Sequence, residues 1–473
     1  MKRPNILFLF ADDMRDDTIH CLGNPDIVTP NLDFLAQSGT CFLNANIPGG
    51  SCAAVCMPSR AMLNTGRTLF HLKDFGSQIP EEHALLGETL KNAGYNTFGT
   101  GKWHNGYASY ARSFTSGGEI FFGGMYDHWK VPVYDYDDTG DYVKVVNDVM
   151  NPGYTNSMVP VRMNHVNWGK HSTDLFADLA CDWIEKYDDE KPFYMYVSYM
   201  APHDPRSMPR EFFDLYDADS LALPPNYMPE HPFDFGIRNV RDEQLEAYPR
   251  TEQAIRKHMR DYYAMISHLD ASVGRILESL KKSGLYDDTI ILFSADNGLG
   301  LGEHGLMGKQ NCYEHSIKMP LLFTGPGIPK GETRDGMVYL MGIFPTLCEL
   351  ADVEIPKTVE GVSFARQFAD SEASARDILF FAYRDKIRGV KTEKYKLIEY
   401  RFKQNRWTQL FDLEEDPWEM NNLADDGRFR EVREALEARV RGFSCEWGDE
   451  ALPIGDSFWN HVDAIEPEPF GFV

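Results

Sequence analysis

The chain has 473 residues and carries 47 Lys and Arg against 72 Asp and Glu, a formal net charge of −25 at neutral pH. With 43% hydrophobic and 25% charged residues its balance is that of a globular protein, which excludes a disordered or fibrous chain. The acidity argues against a nucleic-acid binder, which needs a basic face, and against association with anionic membranes or polyanions unless a basic pocket is carved locally. Eight cysteines, at positions 21, 41, 52, 56, 181, 312, 348 and 445, are too sparse for a disulfide scaffold and contain no paired C-x-x-C.

The length suggests two or three domains, or one large α/β domain with an appendage. The first apolar run, residues 5–11, meets Asp12-Asp13 well before it could span a bilayer. Lys2-Arg3 ahead of it imitates the start of a signal peptide, but the carboxylate pair stands where a cleavage site should be, so the run reads as a buried strand. Neither an export signal nor a membrane anchor is expected. Localisation is left open: cytoplasmic as the chain stands, periplasmic or secreted if a leader has been removed.

Further strands are expected at 97–100, 193–198 and 289–294, alternating with helices. One helix, 172–187, places Leu175, Phe176, Leu179, Trp183 and Ile184 on one face, with Ser172 or Thr173 as its cap. Another, 259–280, repeats the pattern and ends at Lys281, Lys282 and Gly284. The Gly-, Tyr-, Asp- and Trp-rich stretch 106–168 and the Pro-rich stretch 205–249 read as long substrate loops or lids. Beyond a boundary near Asp370, short strands at 378–383, 387–392, 396–400 and 408–413 suggest an antiparallel meander, followed by a helix at 428–441. The expected architecture is α/β: a large mixed, mostly parallel sheet sandwiched by helices over 1–370, then a smaller α+β subdomain on an antiparallel sheet over 371–473.

Reactive side chains fall where the predicted strands end. Asp12-Asp13 follow the first strand, Lys102 and His104 the second, His203 the third and Asp296-Asn297 the fourth. Ligands of open α/β sheets bind beyond the carboxyl ends of the strands, so these clusters can converge on one site. Asp12, Asp13, Asp296 and Asn297 offer hard oxygen donors suited to Ca²⁺ or Mg²⁺ rather than zinc. Each pair alone reads as a helix cap or a tight turn; four clusters at strand ends of one sheet favour the metal. Lys102 supplies a cation for an anionic group and His104 an imidazole, while His203 sits between two prolines that restrict its backbone. Lys309, in Gly308-Lys309-Gln310, carries no signal of its own.

The segment Cys56-Met57-Pro58-Ser59-Arg60, continuing to Thr65-Gly66-Arg67, resembles the signature of the formylglycine-dependent sulfatases, within the alkaline-phosphatase-like superfamily. The family's other motifs follow in order, from Asp12-Asp13 and Thr29-Pro30-Asn31-Leu32 through Gly101-Lys102-Trp103-His104, Pro202-His203, Asp296-Asn297-Gly298 and Gly308-Lys309 to Asn421-Asn422-Leu423-Ala424. The resemblance is to bacterial carbohydrate sulfatases. It implies that Cys56 is oxidised to formylglycine by a formylglycine-generating enzyme and supplies an oxygen nucleophile. It implies a metal, Ca²⁺ with Mg²⁺ as the alternative, held by Asp12, Asp13, Cys56, Asp296 and Asn297. Arg60 would hold the formylglycine, Lys102 and Lys309 the sulfate oxygens, His203 would protonate the leaving alcohol and His104 would act as base in sulfate release. Asn105 departs from the apolar residue common at this position and has no chemical role in the scheme.

The substrate implied is a small sulfated saccharide, with Trp129, Tyr134, Tyr136 and Trp168 as candidates for stacking on sugar rings. Two rival readings stand beside it: a phosphodiesterase or phosphonate monoester hydrolase on the same scaffold, and a non-catalytic binder of sulfated glycans.

Overall fold

The computed structural model describes residues 3–148 and 156–460; Met1 and Lys2, residues 149–155 of the long insertion and residues 461–473 of the C-terminal unit lie outside them. Eight strands form the main sheet: β1 (Asn5–Asp12), β2 (Thr40–Phe42), β3 (Asn96–Lys102), β4 (Ser116–Phe121), β5 (Phe193–Pro202), β6 (Thr289–Ala295), β7 (Leu321–Thr324) and β8 (Glu332–Arg334). Side by side they run β8-β2-β7-β6-β1-β5-β3-β4. Only β7 runs against its neighbours; the other pairings are parallel.

The central strand explains why the sheet is covered on both sides. Successive side chains of a strand point to opposite faces, and all eight residues of β1 are buried. Its apolar run leaves neither face for water, as parallel strands flanked by helices require. Each of Ile6, Leu7, Leu9 and Phe10 contributes roughly 1.5–3 kcal/mol through burial.

Four helices matter most for the site: α1 (Cys56–Thr65), α2 (Ser172–Glu185), α3 (Glu252–Lys282) and α4 (Arg430–Glu446). The α3 helix begins seven residues earlier than the periodicity predicts, because the Thr251 side chain accepts from Ala254 N and Ile255 extends the buried stripe. The cap of α2 is neither Ser172 nor Thr173. His171 takes that role, its Nδ1 accepting from Thr173 N at 3.2 Å, a use of imidazole that a cap search for hydroxyls and carboxylates passes over.

The 106–168 stretch is not a structureless loop. It holds a helix at Tyr107–Ser113, strand β4 at the sheet edge, and Lys130–Val133 paired antiparallel with His165–Trp168. Tyr134 and Tyr136 are core-forming rather than free for sugar: Tyr134 packs with Tyr107, Phe122 and Tyr142, and Tyr136 donates to Phe114 O at 2.8 Å. Trp129 lies edge-on to His171, and Trp168 alone of the four is well exposed, at 64%.

The C-terminal meander is β9 (Leu379–Tyr383), β10 (Ile387–Lys391), β11 (Tyr395–Phe402) and β12 (Asn405–Asp412), antiparallel throughout, with α4 following it. A fifth strand comes from the other end of the chain: Gly49–Gly50 pairs in parallel with Ala382 and Tyr383, six residues before Cys56. Only glycine fits at 49, where φ is +99° and a Cβ would stand 2.1 Å from Ala382 O. Buried lysines reinforce the join, Lys391 Nζ donating to Glu314 Oε2 at 2.6 Å and Lys396 Nζ to Glu314 Oε1 at 3.0 Å.

Candidate active site

Strand register brings the reactive residues together. Ala11 of β1 pairs with Ala295 of β6, Asp12 with Pro202 of β5, and Ser198 of β5 with Gly101 of β3. The carboxyl ends of four adjacent strands therefore present Asp12-Asp13, Asp296-Asn297, His203 and Lys102-His104 at one edge. The strands run further than the apolar pattern suggests, so Asp12 and Lys102 are their last residues rather than part of the loops. Asp13 and His104 have φ of 66° and 70°, left-handed conformations that cost a non-glycine residue of order 1–3 kcal/mol and persist where surrounding contacts fix them. Gly101 permits the approach of β3 to β5, since a Cβ there would stand 1.9 Å from Ser198 O.

Cys56 opens α1, whose residues are all buried, and its Sγ lies 3.7 Å from Lys102 Nζ and 3.6 Å from His104 Nδ1. Burial pushes the thiol above its ordinary range; Lys102 and Lys309 only partly offset this. Arg60, one turn along the same helix, is fully buried and holds the strand ends together. Its Nε donates to Asp296 Oδ2 at 2.8 Å, and its Nη1 to Ser198 Oγ at 2.6 Å and to Lys102 O at 3.0 Å, while Nη2 lies 3.8 Å from Asp12 Oδ1. Burial opposes the guanidinium charge, but Asp296 and Asp12 outweigh it and raise the pKa.

The carboxylates are crowded by cations. Lys102 Nζ bonds Asp12 Oδ2, and Lys309 Nζ donates to Asp13 Oδ2 at 2.7 Å. Asp13 N donates to Asp296 Oδ1 at 2.9 Å, and Asn297 Nδ2 to Asp13 Oδ1 at 2.8 Å. Ligand atoms of Asp12, Cys56 and Asp296 lie within 4.8 Å of one another, as do those of Asp12, Asp13 and His203. Asp12 Oδ1 and Asn297 Oδ1 are buried without a hydrogen-bond partner. Two orphaned oxygens beside three carboxylates fit a hard divalent cation.

His203 Nε2 lies 3.5 Å from Asp13 Oδ2, and the ring's Nδ1 is 2.8 Å from Asp204 O, so the two nitrogens face different partners. Burial first, and then the Lys309 charge, holds its pKa well below the ordinary histidine range. His104 is likewise held well below it, by burial and then by Lys102 and Arg60. Burial thus favours the neutral form of both rings. All the residues singled out from sequence, Cys56, Arg60, Lys102, His104, His203, Lys309 and the four oxygen donors, come together.

Other residues at the site escaped sequence reasoning. Asn105 is buried and ties the His104 turn to α1, its Nδ2 donating to Met57 O at 3.0 Å, and also to Gly76 O at 2.7 Å. The Pro-rich 205–249 stretch sends Arg241, Asp242 and Glu243 inward. Glu243 accepts from Gly308 N at 2.9 Å and is paired with Arg250, which anchors the turn bearing Lys309. Arg241 reaches to 3.4 Å from His203 Nε2. The charge density of that stretch is the one signal of its role; the contacts themselves are non-local.

A helix that opens on a buried cysteine and a carboxylate cluster stand together at the carboxyl ends of a mixed sheet, an arrangement shared with structural neighbours of the alkaline-phosphatase-like class. The chain belongs to the sulfatase family: the model described as Sulfatase matches residues 4–353, and that described as N-sulphoglucosamine sulphohydrolase, C-terminal, matches 302–445. It is 30% identical over 467 residues to the ulvan-active sulfatase of Formosa agariphila, covering 95% of this chain and 82% of that protein. It is 27% identical to the N-acetylglucosamine-6-O-sulfatase of Bacteroides thetaiotaomicron, over 95% of this chain and 88% of that one. Among solved structures, BT4656 in complex with its substrate D-glucosamine-2-N,6-O-disulfate shares the fold, with a TM-score of 0.76 and 22% identity over 95% of this chain and 99% of that one. The protein is thus a sulfatase, a sulfuric ester hydrolase.

Proposed function

We infer that the protein removes sulfate from a sulfated carbohydrate, a short glycan fragment, using Cys56 matured to formylglycine as its nucleophile. The observation that carries this reading is the placement of Cys56. Its side chain is buried at the start of a helix, within 4 Å of one ammonium group and one imidazole, beside the carboxylates of Asp12 and Asp296. The carbohydrate substrate is supported by the named activities of relatives that match along nearly the whole chain. The net charge of −25 disfavours long polyanions and favours short fragments drawn to the local cations.

Each residue has a task that its surroundings permit. Lys102 and Lys309 lie on either side of the carboxylates and neutralise sulfate oxygens as charge accumulates on them. His104, its neutral form favoured beside the Cys56 side chain, accepts the proton lost as sulfate is released. His203, whose neutral form burial also favours, gains its proton when the negative charge of the substrate enters beside it, and passes that proton to the leaving alcohol oxygen. Asp12, Asp13, Asp296 and Asn297 would hold Ca²⁺ or Mg²⁺, which supplies Lewis-acid charge neutralisation at the sulfate.

Two outcomes test these assignments. A sugar hydroxyl is a poor leaving group, so His203→Ala should lower turnover of an alkyl or sugar sulfate about 10²–10⁴-fold while costing far less on 4-nitrophenyl sulfate. Equal losses on both would contradict the acid role. Ca²⁺ at about 100 times its dissociation constant should add about 2.7 kcal/mol to folding stability, read as a rise in melting temperature. That rise should vanish in Asp12→Asn/Asp296→Asn. A shift that persists in the double variant would place the ion elsewhere. For the substrate class, the decisive assay is sulfate release from a panel of defined sulfated mono- and disaccharides, with an aryl phosphodiester as control. Preference for the phosphodiester, or failure on every saccharide by matured enzyme, would overturn the reading.

A further inference from the structure

Two arginines stand on the His203 side of the site and take no part in the chemistry described. Arg241 comes from the Pro-rich stretch, with its side chain 45% exposed at the mouth. Its Nε and Nη2 both donate to Asp242 Oδ1, at 2.8 and 2.5 Å, and Nη2 also lies 3.6 Å from Asp204 Oδ1 and 3.4 Å from His203 Nε2. Among the described residues the Nη1 group meets the Met125 thioether alone, a weak acceptor. Arg206 lies across Asp204 from it, in the cleft that Lys309, Asp242 and Leu299 also line. Its Nη1 is 2.7 Å from His258 Nδ1, its guanidinium stands 5.7 Å from the Tyr262 ring, and its Nε is buried without a partner. Among the described residues no carboxylate oxygen comes within 4 Å of the half-buried Arg206, and Asp204 is the first of the carboxylates whose charge acts on it. Asp242 is itself held by Gln310 Nε2 at 2.6 Å, next to Lys309, so the Arg241–Asp242 unit is fixed to the turn that carries the sulfate-binding lysine.

We propose that Arg241, with Arg206 behind it, is a specificity-determining pair that binds a second oxyanion on the substrate, a carboxylate or another sulfate on the saccharide that leaves. The inference rests on the reading that His203 faces the leaving group, since Arg241 is placed by its distance from His203 Nε2. A planar guanidinium with one edge already held by a carboxylate presents the other edge as a fixed fork, the geometry that suits a carboxylate or sulfate rather than a lone hydroxyl. An arriving oxyanion would add to the charge of Asp204, which acts on Arg206 without a direct ion pair. The cleft that Arg206 lines with Asp204, Asp242 and Lys309 is narrow, and Arg241 stands outside its lining, at the mouth. A local cationic fork further explains how a protein of charge −25 can accept a doubly anionic fragment at all.

The test compares kcat and KM of matured wild type, Arg241→Gln, Arg241→Lys and Arg206→Gln on three sugar sulfates alike in sulfate position: one otherwise neutral, one with a ring carboxylate, one with a second sulfate. Wild type should favour at least one doubly anionic sugar by about 10–100-fold in kcat/KM, the scale of a charged hydrogen-bonded pair. Arg241→Gln should bring that ratio close to one, chiefly through KM, and Arg241→Lys should restore part of it. Whether the carboxylate or the second sulfate gains most identifies the oxyanion. Arg241 is exposed, so its variants should fold even if Arg206→Gln does not. A wild type that prefers the neutral sugar, or an Arg241→Gln that loses activity equally on all three, would overturn the proposal. Should no sugar sulfate be turned over, the carbohydrate reading fails separately, and aryl sulfates with and without a ring carboxylate read the same ratio.

Discussion

Cys56→Ala is expected to lower sulfate release about 10⁴-fold or more on every substrate, aryl and sugar alike, because no other side chain at the site can replace the nucleophile. The fold should survive, since the change removes one atom at the start of α1 and leaves Arg60 and its partners in place. Cys56→Ser is informative beside it. A hydroxyl at this position has the oxygen but not the aldehyde, so in a host that matures only cysteine it too should be nearly inactive. Wild-type protein made without a maturing enzyme should behave the same way: folded, with a thiol that burial keeps protonated. Activity within about tenfold of wild type in Cys56→Ala would remove the residue from the chemistry altogether.

Arg60→Ala should have the largest effect on stability. The side chain is fully buried and its guanidinium reaches Asp296, Ser198, the Lys102 carbonyl and the neighbourhood of Asp12, so it joins α1 to four strand ends at once. Removing one partner of a buried ion pair leaves the other charge uncompensated, which costs about 3–5 kcal/mol. Here that charge is Asp296, and the loss should appear both in urea-induced unfolding and in activity, since Asp296 belongs to the cation-binding set. Arg60→Lys keeps the charge but cannot reach all these acceptors from one ammonium, and should fall between the two. A loss below about 1 kcal/mol in Arg60→Ala would mean that the strand ends are held by something other than this residue.

How much of this was legible beforehand depended on whether the signal was local. The strand ends were, because a buried parallel strand is a short apolar run and its first charged residue marks where the sheet edge begins. Parallel register then did the rest: Asp12, Asp296, His203 and Lys102 meet because β1, β3, β5 and β6 end level with one another. The Cys56-to-Arg67 signature was legible as a motif, though nothing in its composition reveals that Arg60 reaches four other segments. Non-local contacts were not legible. Arg241 lies 38 residues beyond His203 in a stretch without periodicity, and only the fold places it near that ring. Asn105 looked like a neutral departure but is buried and holds the carbonyl of Met57, next to Cys56, and that of Gly76. The 106–168 stretch hid β4 and an aromatic cluster because its glycines, Gly117 and Gly118, interrupt the alternation that marks a strand. His171 as a helix cap is a case where an uncommon residue satisfies an ordinary need.

The measurement that bears most directly on the account is the mass of the peptide containing Cys56, taken from enzyme whose sulfatase activity has been measured in the same preparation. The account predicts formylglycine at position 56, in a fraction that rises in proportion to specific activity across preparations made with and without a maturing enzyme. An active preparation in which Cys56 is wholly unmodified thiol would contradict it.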